Sequence, residues 1–332
     1  MSQAHESTSV RPQPAQVLAL VLGAGGAAGQ AWQIGVIAGL AEAGLDLTRA
    51  ADLVIGTSSG STTAAWVRSG TTLADLLDSV LSQPVRPAGQ HREQPPSSLS
   101  QPVRPAGQQG ERPSSSMTAL FDRMRAIGAA ATSAADLQRA MGAFGLESDA
   151  AFGPDVVEQR RAMIAARMPR PEWPDRPMIV VALNAHTGEL APFDKDSGVE
   201  LVDALTAAVA LPGGAPTHEV NGVRYINGGV RSPDNADLAA GYAKVLVLSP
   251  FSERSGPLPE GQFEGLRRFP GADLPSQVEA LREQGSQVQV ITPDADSRAA
   301  MGVNQMDPAT RAPSARAGFA QGHREAARVT FR

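Results

Sequence analysis

The stretch Gly56-Thr57-Ser58-Ser59-Gly60 has the residue types and the spacing of a serine nucleophile held in a tight turn. An apolar run, Leu53 to Ile55, precedes it, and a helical pattern of small residues follows it. A sharp turn from a strand into a helix leaves no room for side chains at its framing positions, which explains the two glycines. Such a turn also holds the central hydroxyl at a helix N-terminus, whose dipole favours developing negative charge. The pattern therefore predicts Ser58 as the nucleophile of an acyl-transfer reaction, with an ordinary tight turn as the alternative.

A glycine-rich loop, Gly23-Ala24-Gly25-Gly26-Ala27-Ala28-Gly29, stands earlier in the chain between an apolar run and a helical pattern. Such a loop could bind a dinucleotide, but that fold needs an acidic residue about 20 residues further on, at the end of the second strand. Here Asp52 begins the second predicted strand, and that strand ends in the serine turn. The loop is better interpreted as an oxyanion hole, made by the backbone N–H groups of Gly25, Gly26 and Ala27.

The base that would activate Ser58 is not evident among the histidines, which are His5, His91, His186, His218 and His323. No two of them have the spacing of a helical metal site, so we expect no histidine zinc centre. An α/β-hydrolase has the order serine, acid, histidine, and only the last three histidines follow the serine. His218 stands just before a predicted hairpin and His323 in a polar helix, so neither has the setting of a triad member. A serine–carboxylate dyad without histidine remains open.

Four blocks of the sequence, taken in order, resemble the patatin-like phospholipase family in its bacterial, actinobacterial-type form. They are the glycine-rich loop, the serine turn, the helix that ends at Leu211-Pro212, and the stretch Asn227-Gly228-Gly229-Val230-Arg231-Ser232-Pro233-Asp234-Asn235-Ala236-Asp237. Together they span most of residues 17 to 250, and their order is far more specific than any one motif. The resemblance implies a three-layer α/β/α fold with a central, mostly parallel sheet, and a lipid acyl hydrolase that needs no metal or cofactor.

The resemblance also implies a serine–aspartate dyad, with its serine at Ser58 and its second member at position 227 in a D-G-[AG] motif. This chain has Asn227-Gly228-Gly229 there instead. A carboxamide can hydrogen-bond to the serine hydroxyl, but it is not a base near neutral pH. We therefore expect a patatin-like acyl hydrolase with impaired turnover. The alternative is a catalytically inactive lipid- or acyl-binding protein on the same fold.

Two further departures bear on the expected site. The family's glycine loop often carries a basic residue where this chain has Ala28, which leaves the oxyanion hole to backbone donors. Asp234 or Asp237 could substitute for the missing base. Both fit better in a structured loop after the strand, where Asn235 would make turn hydrogen bonds.

The composition limits the classes of partner. The 332 residues are 42% hydrophobic and carry a formal net charge of −5, so there is no basic footprint for nucleic acid. The absence of cysteine excludes disulfides, a thiol nucleophile and a cysteine-ligated metal. Residues 1–16 lack the apolar core of a secretory signal, and no apolar run is long enough to span a bilayer. We expect a cytoplasmic protein that acts on a lipid or acyl-ester substrate, with peripheral membrane contact left open.

Predicted strands and helices alternate along the chain, which favours an α/β fold. The predicted strands are Val17–Leu22, Leu53–Ile55, Met178–Leu183, an edge strand after 187–190, Lys244–Leu248 and Val288–Ile291, and the main later helical patterns cover 117–168, 199–209 and 308–329. Residues 81–98 are repeated at 99–116 in a segment dominated by proline, glutamine and serine. Such composition predicts a disordered insertion, with a mobile lid over a lipid site as the alternative. We expect a disordered tail at 1–16 and one domain over 17–332.

Overall fold

A computed structural model describes residues 17–82, 113–251 and 269–329 of the chain. Its strands are β1 (Leu18–Leu22), β2 (Leu53–Thr57), β3 (Met178–Asn184), β4 (Leu190–Phe193), β5 (His218–Val220), β6 (Val223–Asn227), β7 (Lys244–Leu248) and β8 (Gln287–Ile291). Its α-helices are α1 (Gly26–Glu42), α2 (Leu47–Ala50), α3 (Ser59–Arg68), α4 (Leu73–Leu81), α5 (Pro113–Ala130), α6 (Ala134–Ser148), α7 (Pro154–Ala165), α8 (Leu201–Ala208), α9 (Leu274–Glu283), α10 (Ala295–Met301) and α11 (Arg311–Glu325). The predicted strands and helices are therefore present, with shifts of a few residues at their ends.

The strands form one mixed sheet in the order β5-β6-β3-β2-β1-β7-β8, with β4 paired to β3. Strands β3, β2, β1, β7 and β8 are parallel to their neighbours in this row, whereas β4, β5 and β6 run antiparallel. The predicted central, mostly parallel sheet is thus confirmed, and the antiparallel strands lie on one side of it.

Helices cover both faces of the sheet, because its central strands are apolar on both sides. In β1, Leu18, Leu20 and Leu22 pack into a core that also contains residues of α1, α3, α8 and α11. The alternate residues Ala19 and Val21 pack into a second core with α9. This arrangement confirms the predicted three-layer α/β/α architecture.

The pairing of β3 brings the ends of β2 and β6 together. Val180 and Val181 pair with both β2 and β4, whereas Ala182 and Leu183 pair with both β4 and β6. Because a strand has only two sides and β4 occupies one of them throughout, β2 and β6 must share the other. They approach along it from opposite directions. The last residues of the two strands, Thr57 and Asn227, therefore lie beside consecutive residues of β3.

Helix α11 packs against α1 at backbone contact. A Cβ atom on Gly35 or Gly39 of α1 would lie 2.2 or 2.1 Å from a backbone oxygen of α11. A Cβ atom on Gly318 or Gly322 of α11 would in turn lie 2.4 or 2.2 Å from a backbone oxygen of α1. The four glycines thus allow α11 to pack closely against the helix that begins at the glycine-rich loop.

The ends of the predicted insertion are helical, which corrects its boundaries. Leu81 is the last residue of α4, and residues 113–116 lie in the first turn of α5. The predicted boundaries of the insertion were those of the two repeated copies. The ends of a sequence repeat need not coincide with the ends of helices. Residues 83–112, like the predicted tail 1–16, lie outside the described residues.

Candidate active site

Ser58 occupies a strained turn between β2 and α3. Its φ and ψ angles are 56° and −123°, in a region that residues with a side chain rarely adopt, and it stands at the N-cap position of α3 without a capping hydrogen bond from its side chain. A Cβ atom at Gly56 would lie 2.4 Å from Ser61 Cα, and one at Gly60 would lie 2.0 Å from Leu22 O. Both framing positions therefore lack room for a side chain, as the sequence pattern predicted. The half-buried Ser58 is held where β2 ends.

Asn227 is positioned by the end of β6 and by α8. Its backbone N–H donates to Ala210 O at 2.9 Å, just beyond the end of α8. A Cβ atom at Gly228 would lie 2.5 Å from Val181 O, so only glycine fits directly after the end of β6. Asn227 is buried, with 7% of its surface exposed.

The orientation of the Asn227 amide follows from its two hydrogen-bond partners. Gly229 N–H donates to Oδ1 at 2.8 Å, and a backbone N–H can only donate, so the atom that it contacts must be the amide oxygen. The amide nitrogen Nδ2 therefore faces the serine, and it lies 2.9 Å from Ser58 Oγ. Residue 227 presents a hydrogen-bond donor, and no acceptor, to the hydroxyl of Ser58.

The glycine-rich loop lies beside the serine turn, but its N–H groups have different partners. Gly25 N–H donates to Ser59 Oγ at 3.0 Å, and Ala28 N–H donates to Gln305 O at 2.9 Å. Within the described ranges, the N–H groups of Gly26 and Ala27 have no partner. Of the three predicted oxyanion-hole donors, Gly25 is thus already engaged, because the neighbouring serine side chain accepts its hydrogen bond.

The acidic residues that follow Asn227 lie in a structured loop, as predicted. Asp237 forms an ion pair with Arg231 at 2.5 Å. Asp234 is 1% exposed, and its Oδ1 would lie 2.2 Å from a Cβ atom on Gly23. Asn235 adopts a left-handed conformation and donates from Nδ2 to Ser232 O at 2.8 Å, which is the turn bonding expected for it.

His218 is part of a buried pair away from the serine turn. Its Nε2 lies 2.9 Å from Asp203 Oδ1, and Arg161 Nε donates to the same oxygen at 2.7 Å. Burial lowers the pKa of His218, although the bond to Asp203 opposes that shift. Burial raises the pKa of Asp203, but the hydrogen bonds from Arg161 and His218 outweigh it and hold that pKa below its usual value. The pair ties β5 to the first turn of α8.

The other two described histidines lie in exposed positions. The N–H of His186 donates to Asn184 Oδ1 in the turn before β4, and His323 lies in the last turn of α11. No group of three or more histidine, aspartate and glutamate side chains within 17–82, 113–251 and 269–329 is arranged to hold a metal ion. No helix in this part of the chain is long and apolar enough to cross a membrane.

Two contacts at the site could not be foreseen from residue types. The hydroxyl of Ser59 accepts from the glycine loop, although the residue was noticed only as a neighbour of Ser58. The carbonyl of Ala210 anchors Asn227, and a backbone oxygen leaves no signal in the sequence.

Comparisons with known proteins identify the family of the chain. Residues 20–240 match the family model described as patatin-like phospholipase. The comparison with curated proteins gave no match. Among solved structures, the chain is similar to a crystal structure of VipD from Legionella pneumophila, with 11% identity and a TM-score of 0.42 over 95% of this chain and 67% of that chain. Because the family model covers more than half of the chain, including the serine turn and Asn227, the chain belongs to the patatin-like phospholipase family.

Proposed function

We propose that this chain is a lipid acyl hydrolase with Ser58 as its nucleophile, and that its turnover is impaired because residue 227 is asparagine. The observation that carries the proposal is the 2.9 Å contact between Asn227 Nδ2 and Ser58 Oγ. It joins the strained serine to the position from which the family's second dyad member would act.

In the proposed reaction, Ser58 Oγ attacks the carbonyl carbon of an acyl ester while a base at position 227 takes the hydroxyl proton. The carbonyl oxygen becomes an oxyanion, and the N–H groups of Gly26 and Ala27 are the donors available to stabilise it. Collapse of the intermediate releases the alcohol, which takes the proton, and leaves an acyl group on the serine. A water molecule then gives a proton to the base and attacks the acyl carbon; the bond to Ser58 Oγ breaks, the serine takes up the proton, and the free acid is released.

Asn227 fails in this role for two reasons. A carboxamide does not accept a proton near neutral pH, and its Nδ2 donates to the lone pairs of Ser58 Oγ. With aspartate at this position, Gly229 N–H would still donate to one oxygen, and the second oxygen would accept from the hydroxyl. A single change from amide to carboxylate would thus supply the base without moving the backbone.

The second candidate is a non-catalytic lipid- or acyl-binding protein on the same fold. The geometry that favours it is the satisfied amide, since both polar atoms of the Asn227 side chain already have partners. In that case the chain would bind a lipid or acyl group on the family's fold without turnover.

Labelling with a fluorophosphonate ester separates the two functions. We expect slow labelling of the chain as it stands, fast labelling of Asn227→Asp at the peptide that contains Ser58, and none when Ser58→Ala is added. The control Ser69→Ala removes another buried hydroxyl, at the far end of α3, and should label like its parent. An Asn227→Asp chain that is folded and binds lipid vesicles but is not labelled would favour the binding protein.

A further inference from the structure

Three buried polar side chains lie beneath the serine turn and the glycine-rich loop. They are Gln33 on α1 and Thr63 on α3, both fully buried, and Ser59 at the start of α3, which is 7% exposed. A glutamine in the middle of a buried helix is costly unless its amide is fully bonded. We call this group the polar brace.

The polar brace holds the glycine-rich loop from below. Gln33 Nε2 donates to Gly23 O at 2.8 Å and lies 3.3 Å from Leu248 O, while Thr63 Oγ1 donates to Gln33 Oε1 at 2.9 Å. Ser59 Oγ accepts from Gly25 N–H at 3.0 Å. The loop is therefore tied at its first carbonyl and again at Gly25, with both ties leading to α3.

These ties determine which loop N–H groups stay available. Ser59 engages Gly25 N–H, and the carbonyl of Gln305 engages Ala28 N–H on the far side. The N–H groups between them, on Gly26 and Ala27, have no partner in the part of the chain that the structure describes. Since Ser59 directly follows Ser58 in the chain, the same turn that holds the serine also sets the position of the loop.

We propose that Ser59 and Gln33 are positioning residues for the reaction of Ser58, because together they hold the glycine-rich loop so that Gly26 and Ala27 face the developing oxyanion. The inference rests on the proposed acyl transfer. Neither residue touches the substrate; both act through the loop. A displacement of catalytic groups by about 1 Å can cost about 100-fold in rate, so a loosened loop should lower kcat with little change in KM.

The test uses the full chain with Asn227→Asp and two measurements. Ser59→Ala should lower kcat for a p-nitrophenyl ester by about 10-fold to 100-fold, and Ser59→Thr, which keeps the hydroxyl, should restore most of it. Gln33→Met, which keeps the length but removes both polar atoms, should act in the same direction. Ser69→Ala is the matched control, because its hydroxyl bonds Trp66 O at the other end of α3. Its kcat should equal that of the parent.

The second measurement does not depend on turnover. Amide hydrogen exchange at Gly25, followed by NMR, should speed up in Ser59→Ala and stay slow in Ser59→Thr and Ser69→Ala. Unchanged exchange at Gly25, or an unchanged kcat in a folded Ser59→Ala chain, overturns the inference even if Gln33→Met fails to fold. An Asn227→Asp parent without activity defeats the proposed function instead, and the exchange at Gly25 then decides alone whether Ser59 holds the loop.

Discussion

At the scale of the residue, the side-chain amide of Asn227 is held at both ends, and this orientation decides the chemistry. Gly229 N–H engages its oxygen and Ser58 Oγ faces its nitrogen. Residue types alone predict that asparagine is no base. They do not predict that its donor points at the serine, because that follows from a backbone N–H two residues further on.

The same hydrogen bonds should protect Asn227 from deamidation. An asparagine before glycine is chemically prone to it, because the backbone nitrogen of the glycine can attack the side-chain amide. Here Asn227 is 7% exposed and its amide is bonded at both ends, which keeps the amide from rotating towards Gly228 N. We expect the folded chain to remain amidated during days at neutral pH while the unfolded chain gains one mass unit. Peptide mass spectrometry around Tyr225 checks this. Equal rates in both states would show that the amide is not held.

At the scale of the element, two strands and two helices assemble the site. Strands β2 and β6 meet along one side of β3 and bring the serine turn to Asn227. Ala210 O, just beyond the end of α8, anchors Asn227, and α1 carries the N–H groups of Gly26 and Ala27 in the glycine loop. The stability of these elements therefore controls the geometry of the site.

The contact between α1 and α11 predicts an unusual response to Gly318→Ala. By helix propensity alone this change stabilises a helix by about 1 kcal/mol. The added Cβ would lie 2.4 Å from Trp32 O, however, and overpacking of this kind costs about 1–3 kcal/mol. We expect net destabilisation in chemical denaturation. The matched change Ala320→Gly, at an exposed position of α11, should cost about 1 kcal/mol through propensity. A more stable Gly318→Ala chain would contradict the close packing.

The buried pair of His218 and Asp203 predicts a pH dependence of stability. Burial lowers the pKa of His218 below its ordinary value of 6.5, so the unfolded chain takes up a proton at a higher pH than the folded chain. The stability contributed by neutral His218 is full above about pH 6.5 and falls as the pH drops from there towards the lowered value. Between pH 7.5 and pH 5.5, the free energy of unfolding measured by chemical denaturation should fall less in His218→Gln than in its parent. Equal losses would mean that folding does not lower the pKa of this histidine.

At the scale of the whole molecule, the sequence patterns predicted most of the architecture. The apolar runs at Leu53 and Met178 became central strands because a buried parallel strand has a strong apolar signal. The serine turn and Asn227 were identified by their motifs. The engagement of Gly25 and the role of Gln33 were not, because they depend on contacts between distant segments. The helical residues at the two ends of the repeated segment were not predicted either, because the whole repeat was assigned to the insertion on its composition.

The repeat predicts that the chain tolerates the loss of one copy. Deleting residues 83–100 joins Ser82 to Gln101, which keeps the local order Leu-Ser-Gln and leaves α4 and α5 intact. Loop-closure entropy changes slowly with length, so the free energy of unfolding should change by less than about 1 kcal/mol. Replacement of 83–100 by a Gly-Ser linker of equal length is the control. A large loss of stability in both variants would show that the segment is packed.

The central claim is that residue 227 decides whether Ser58 can react, and the hydrolysis rate of a p-nitrophenyl ester tests it most directly. The comparison uses fresh chain shown by mass spectrometry to be fully amidated, the Asn227→Asp variant, and that variant with Ser58→Ala. An aspartate-to-asparagine change costs on the order of 10⁴ in the serine-protease triad, where the acid only orients a histidine. We predict a rise of similar size for Asn227→Asp and its complete loss with Ser58→Ala. If the fully amidated chain is as fast as Asn227→Asp, residue 227 is not the base and the account is wrong.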